Sequence, residues 1–86
     1  MTKEEDFCID VLKEVELARA KFPHSFCSGL ALVEEVGELA QAMLKVAAGK
    51  WPKERIREEA IQVAAMALRV AIEGDSSVDP NNYCEG

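Results

Sequence analysis

Apolar residues recur at helical spacing along most of the chain. In the N-terminal segment Phe7, Val11 and Val15 share one face when residues are projected at about 100° each, and Thr2 is suited to cap the helix. The helix breakers fall between such segments, at Pro23, Gly49, Pro52, Gly74 and Pro80. The pattern predicts a single all-α domain over residues 1–86, with helices over about 2–21, 28–48 and 53–73. The tail over 75–86 would be irregular or would add a short fourth helix.

The second and third predicted helices carry more apolar surface than a three-helix unit can bury. Apolar residues cover roughly 200° of arc on the second helix and roughly 260° on the third. Leaving such surface in water would drive association. We therefore predict an oligomer whose core is completed by a partner chain. A tightly packed monomer is the alternative.

Charge and cysteine usage narrow the function classes. The chain of 86 residues has sixteen acidic and ten basic side chains, so its net charge is −6. This charge argues against a nucleic-acid polymer as partner. A nucleotide is still compatible, because a divalent cation can bridge it to acidic side chains. No apolar run approaches the roughly 18 residues that span a bilayer, and the acidic N-terminus is unlike a signal peptide. No membrane partner is expected, and the location is predicted to be cytoplasmic. A reducing compartment also fits three cysteines that lack C-x-x-C spacing, Cys8, Cys27 and Cys84.

Carboxylates gather on two helices at spacings that suit a metal ion. Glu35 and Glu38 lie one turn apart on the second helix, and on the third helix Glu59 projects onto a stripe that otherwise has core character. A buried carboxylate without a partner is strongly disfavoured. Gln62, one turn after Glu59, offers a neutral oxygen, and antiparallel packing would bring the two pairs face to face. Four oxygen ligands without Cys or His select Mg²⁺, or Mn²⁺ in its place. The alternatives are a solvated polar face and a salt bridge from Glu59 to a lysine or arginine.

The sequences LVEEVGELAQA at residues 32–42 and EEAIQVA at residues 58–64 together resemble the MazG-like branch of the all-α nucleoside triphosphate pyrophosphohydrolases. That family's pattern is E-E-x-x-E, a spacer and E-x-x-D, and the resemblance covers about residues 25–73. It implies Mg²⁺-dependent cleavage of a (deoxy)nucleoside triphosphate into the monophosphate and pyrophosphate. It also implies a homodimer or a dimer of dimers, a homo-oligomer in which helices of two chains complete a four-helix-bundle core. Gln62 stands where the family usually has aspartate, which should weaken metal binding.

The resemblance also implies roles for individual residues. Glu35, Glu38 and Glu59 would be metal ligands, and Glu34 would bridge a second ion or orient a water, which makes Glu34 and Glu38 the catalytic candidates. A triphosphate also needs positive charge where the metal does not reach. The candidates lie on the second helix and around the turn after it, Lys45, Lys50, Lys53 and Arg55. Ordinary solvated charge is the alternative for each of them.

Two aromatic residues are candidates for a base pocket. Phe22 precedes the second helix, and Trp51 is the sole tryptophan and lies in the turn between the second and third helices. Either ring could stack on a base or simply anchor its own loop. A different function is a catalytically degenerate helical oligomer that acts as a nucleotide- or protein-binding module. The neutral residue at position 62 favours that alternative, and the retained glutamates favour hydrolysis.

Overall fold

The computed structural model describes residues 1–24 and 27–78. It contains α1 (Lys3–Lys21), α2 (Ser28–Ala47) and α3 (Glu54–Glu73), followed by one turn of 3-10 helix at Ser76–Val78. No strand occurs in these two ranges, which confirms the all-α prediction with three helices. Residues 79–86, which hold most of the predicted tail and Cys84, lie outside the described part.

Local sequence signals set the ends of α1. The Thr2 side chain accepts a hydrogen bond from the backbone N–H of Glu5 at 3.0 Å, and the Glu5 carboxylate accepts one from the N–H of Thr2 at 3.0 Å. This capping box satisfies two backbone donors that the first turn leaves free, and it confirms Thr2 as the N-cap. Acidic residues in the first turn and basic residues in the last turn suit the helix dipole.

A short turn reverses the chain between α2 and α3. Gly49 adopts a left-handed conformation with φ of 73°, which a residue with a side chain rarely takes. The N–H of Lys50 then donates to the carbonyl of Lys45 at 2.9 Å and closes the end of α2. Because α3 begins only a few residues later, at Glu54, it runs back along α2. The carboxylates of the two helices can therefore meet.

The third helix is the centre of the unit, since α1 and α2 both pack against it. Val11 and Val15 of α1 are buried against Ala65 of α3, and four half-buried residues surround this cluster, Phe7, Ile61, Ala64 and Leu68. The core is small. Many large apolar side chains stay exposed, among them Val33 and Leu44 of α2, at 65% and 73%. Among the described residues, none of the helices combines the length and apolar character needed to cross a bilayer.

Candidate acidic site

Three carboxylates converge between α2 and α3. Glu35, Glu38 and Glu59 each place an oxygen within 4.8 Å of the other two. The spacing of one helical turn brings Glu35 and Glu38 to the same side of α2, and the turn at Gly49 returns α3 so that Glu59 meets them. Three negative charges at this separation repel one another unless a proton or a cation joins them.

The electrostatics of the site centre on Glu35. Burial is the main reason why the pKa of Glu35 is raised above its ordinary value, and the charges of Glu38 and Glu59 raise it further. One oxygen of Glu35, Oε2, is buried without a hydrogen-bond partner among the described residues. Glu59 is also largely enclosed, with 15% of its side chain exposed, whereas Glu38 is exposed. An unpartnered carboxylate oxygen beside two further carboxylates is a donor set that fits a hard divalent cation.

Arg55 is the cation that already contacts this cluster. Its Nη2 donates to Glu59 Oε1 at 3.4 Å, and its Nη1 lies 3.5 Å from Glu58 Oε2. The salt bridge that the sequence offered as the alternative to a metal ligand at Glu59 is thus present. Strong charged hydrogen bonds measure about 2.7–2.9 Å, so both of these contacts are long. Glu59 therefore contacts Arg55 while it also lies close to Glu35 and Glu38.

Two of the remaining candidates line cavities that reach Glu35. Gln62 is half-buried and lies with Glu35 on the wall of a cavity of about 380 Å³. Glu34 is exposed, stands outside the group of three, and lines a second cavity of about 580 Å³ together with Glu35. The roles predicted for Glu34 and Gln62 stay predictions.

The lysine candidates lie at the far end of α2. Lys45 is half-buried, with Nζ 5.7 Å from the centroid of the Trp51 ring, and Lys50 and Lys53 are exposed in the turn. The Arg55 guanidinium also stacks on the Trp51 ring, with its Cζ 4.6 Å from the ring centroid. These contacts make Trp51 an anchor for one cation in the last turn of α2 and one in the first turn of α3.

The two aromatic candidates for a base pocket are separated in space. Phe22 lines both cavities that reach Glu35, and the larger cavity also takes in His24, Ala31 and Met66. Within the described part of the chain, Trp51 contributes to neither of these two cavities. Of the two, only Phe22 shares a cavity wall with Glu35 among the described residues.

Sequence reasoning missed Arg69, which holds the end of α1 in place. Arg69 is 4% exposed, although arginine is a residue type that is mostly found at protein surfaces. Its guanidinium donates to the carbonyls of Ala18 and Phe22, at 3.3 and 2.8 Å, and to the carboxylate of Glu73. Arg69 and Arg19 together hold the pKa of Glu73 down to about 2. The only signal along the chain was the i,i+4 spacing of Arg69 and Glu73.

Asp75 was also missed, as part of the predicted tail. Its Oδ1 accepts the backbone N–H of Cys27 at 2.8 Å, and its Oδ2 accepts that of Gly29 at 2.9 Å. Asp75 therefore supplies, from a distant part of the chain, the cap that Cys27 lacks at the start of α2. Hydrogen bonds from the Ser77 side chain and from the N–H of Gly29 are the main causes that lower the pKa of Asp75 to about 2. Arg69 and Asp75 therefore hold the end of α1 and the start of α2, which both line the larger cavity.

Comparisons with protein-family models, with curated proteins and with solved structures gave no match for this chain. A functional assignment therefore depends on the residues around Glu35 and on the sequence resemblance described above.

Proposed function

We propose that this protein is a MazG-like hydrolase that converts a (deoxy)nucleoside triphosphate into the monophosphate and pyrophosphate in the presence of Mg²⁺. The observation that carries the proposal is the Glu35 carboxylate. It is half-buried and faces Glu38 and Glu59 at the wall of a cavity, and one of its oxygens has no hydrogen-bond partner in the described part of the chain. Holding the ionised form of this carboxylate in that state is costly unless a cation binds it.

The residues at hand suit an octahedral ion with oxygen ligands. Glu35, Glu38 and Glu59 would hold it, and the Gln62 amide would supply a fourth oxygen or hold one of its waters. Mn²⁺ should be able to replace Mg²⁺ at this site. When bound, the ion would neutralise phosphate charge and make a water more acidic.

The remaining side chains would position the substrate. Glu34, on the cavity wall, would accept a hydrogen bond from the attacking water and so orient it. Lys45, Lys50 and Lys53 would supply positive charge to phosphate oxygens. Phe22 would stack on the base within the larger cavity, whose volume of about 580 Å³ falls in the range typical of small-molecule sites. The contacts of Trp51 with Lys45 and Arg55 favour anchoring over base stacking.

The proposal is tested by incubating the purified protein with a panel of (d)NTPs and Mg²⁺. We expect at least one nucleotide to yield the monophosphate and pyrophosphate in equal amounts, and chelation of the metal should stop the reaction. Release of a diphosphate and inorganic phosphate would indicate a different chemistry. Turnover without metal, or turnover that survives Glu38→Gln, would count against this site.

The second candidate function is a degenerate helical oligomer that binds a nucleotide or protein without turnover. It is favoured by the neutral Gln62 and by the contact between Arg55 and Glu59, which both reduce the negative charge available to an ion. The variant Gln62→Asp distinguishes the two. If the wild-type protein is inactive and the variant gains Mg²⁺-dependent hydrolysis, the chain is a degenerate relative of an enzyme.

We further propose that a second copy of the chain covers the outward face of α2. On the side away from the buried Ala42, this helix exposes five large apolar residues, Leu30, Val33, Val36, Met43 and Leu44. Burying one such side chain contributes about 1.5–3 kcal/mol. Packing this face against its copy would place two α2 helices side by side and complete a four-helix-bundle core, in a homodimer or a dimer of dimers.

Replacing Val33 by glutamate is expected to dissociate this assembly, because it places a charge in the middle of the apolar face. Light scattering after gel filtration should show a dimer or larger species for the wild-type protein and a monomer for Val33→Glu. Gln41→Glu, which adds the same charge at an exposed polar position of α2, should leave the mass of the assembly unchanged. A monomeric wild-type protein, or equal dissociation by both variants, would contradict the proposed interface.

A further inference from the structure

The guanidinium of Arg55 lies between an aromatic ring and the acidic site. It stacks on Trp51 on one side, and it contacts Glu59, one of the three converging carboxylates, on the other. The Nε atom of Arg55 is buried and has no hydrogen-bond partner among the described residues. The hydrogen bonding of Arg55 in this arrangement is therefore incomplete.

The two contacts of the guanidinium differ in quality. The 4.6 Å from Cζ to the Trp51 centroid is well inside the range of about 6 Å for cation–π attraction. The 3.4 Å from Nη2 to Glu59 Oε1 is long for a charged hydrogen bond. A stronger cation at Glu59 would therefore displace the guanidinium from the carboxylate more easily than from the ring.

We propose that Arg55 and a divalent ion compete for the Glu59 carboxylate, so that Arg55 sets the affinity of the acidic site for the ion. This inference rests on the proposed function, since it takes the acidic site to bind Mg²⁺. Arg55 neutralises Glu59 and limits the repulsion among the three carboxylates in the absence of the ion. The same positive charge opposes an incoming cation. Arg55 is thus a positioning residue, because it acts through Glu59 and needs no contact with the substrate.

The fluorescence of Trp51 should report on this exchange between Arg55 and the divalent ion at Glu59. It is the sole tryptophan of the chain, and its ring lies against the guanidinium that has to move. A change in the contact between Arg55 and Glu59 should shift the guanidinium over the ring and alter the emission of the indole. We expect Mg²⁺ to cause a saturable change in tryptophan fluorescence, with the same midpoint as Mg²⁺ binding measured by calorimetry.

The deciding experiment is a calorimetric titration of nucleotide-free protein with Mg²⁺ for the wild type and two variants. Arg55→Gln removes the competing charge, and it should tighten Mg²⁺ binding roughly tenfold. Arg57→Gln is the matched control. It makes the same chemical change two residues further along α3. The Arg57 guanidinium pairs with Asp6 and Asp10 of α1, so its loss should leave the affinity for Mg²⁺ unchanged.

The outcomes separate the inference from the proposed function. If neither the wild type nor Arg55→Gln binds Mg²⁺, the proposed metal site is wrong and the inference is overturned with it. If the wild type binds Mg²⁺ and a folded Arg55→Gln binds it no more tightly, the inference alone is overturned. Should Arg55→Gln fail to fold, the wild-type fluorescence titration decides, because Mg²⁺ binding without any change in Trp51 emission also contradicts the exchange.

Discussion

Replacing Glu35 by glutamine is expected to lower Mg²⁺-dependent pyrophosphate release by more than about a hundredfold, because losing even an outer-shell partner of a metal ligand commonly costs 10–100-fold. Glu35 is half-buried at the point where three carboxylates meet, and its Oε2 atom has no hydrogen-bond partner within residues 1–24 and 27–78. The amide keeps the shape of the side chain and removes the negative charge. The measurement is the rate of pyrophosphate release at saturating nucleotide, together with Mg²⁺ affinity by calorimetry.

The same substitution should stabilise the fold in the absence of metal. The folded protein raises the pKa of Glu35 above its ordinary value of 4.5, so it binds this proton more tightly than the unfolded chain does. The corresponding contribution to stability is complete below pH 4.5 and is lost as the pH rises through the folded pKa. At neutral pH the ionised carboxylate is therefore a penalty. Glutamine removes it, which should add about 1 kcal/mol, or roughly 4–8 °C in melting temperature.

Glu58→Gln is the matched control for Glu35→Gln. Glu58 is 61% exposed and stands outside the three converging carboxylates, although it neighbours Glu59. We expect its activity to stay within about twofold of the wild type, since exposed ion pairs contribute little. Mg²⁺ should raise the melting temperature of the wild type and of Glu58→Gln, and should leave that of Glu35→Gln unchanged. Equal activity in all three proteins would contradict the metal site.

The parts of the fold that were predictable are those that local chemistry decides. Thr2 caps α1 with a partner three residues away, and Gly49 and Gly74 take left-handed conformations at the ends of their helices. Signals of this kind involve neighbours along the chain, so periodicity and breakers predict three helices without any knowledge of the packing. The same reasoning predicts the surplus of apolar surface on α2, because a three-helix unit has only one side on which to bury it.

The convergence of carboxylates was predictable for a related reason. The spacing of one turn and a short connection between helices constrain Glu35, Glu38 and Glu59 to one region. Which basic residue would pair with Glu59 was harder to predict. Several basic residues surround the turn, and the choice of Arg55 follows from the position of the Trp51 ring, on which its guanidinium stacks.

Two sets of contacts between distant parts of the chain were missed. Asp75 caps α2 from 46 positions away at Gly29, and Arg69 reaches back 47 positions to the carbonyl of Phe22. No pattern along the chain encodes such pairs, since they depend on how α1 and α2 lie against α3. These contacts hold the end of α1 and the start of α2, which line the larger cavity. The walls of the cavity were therefore less predictable than its acidic edge.

Replacing Arg69 by methionine is expected to be strongly destabilising. The side chain is 4% exposed, and methionine would fill much of its volume without donating a hydrogen bond. The carbonyls of Ala18 and Phe22 would lose a donor, and Glu73 would lose its most buried partner. We expect a loss of about 3 kcal/mol, corresponding to roughly 12–24 °C in melting temperature. The melting temperature is to be compared at equal protein concentration, because oligomerisation also affects it.

Arg19→Met is the control for Arg69→Met, because both arginines bind the same carboxylate. Arg19 contacts Glu73 Oε2 at 2.9 Å but is 43% exposed, so its removal should cost less than about 1 kcal/mol. Below its melting temperature, Arg69→Met should still bind Mg²⁺, since the three carboxylates lie between α2 and α3. Its KM for nucleotide should rise, because Phe22 loses the bond that holds its carbonyl. Equal destabilisation by the two substitutions would mean that the shared ion pair, rather than the bonds from Arg69 to the end of α1, stabilises this part of the protein.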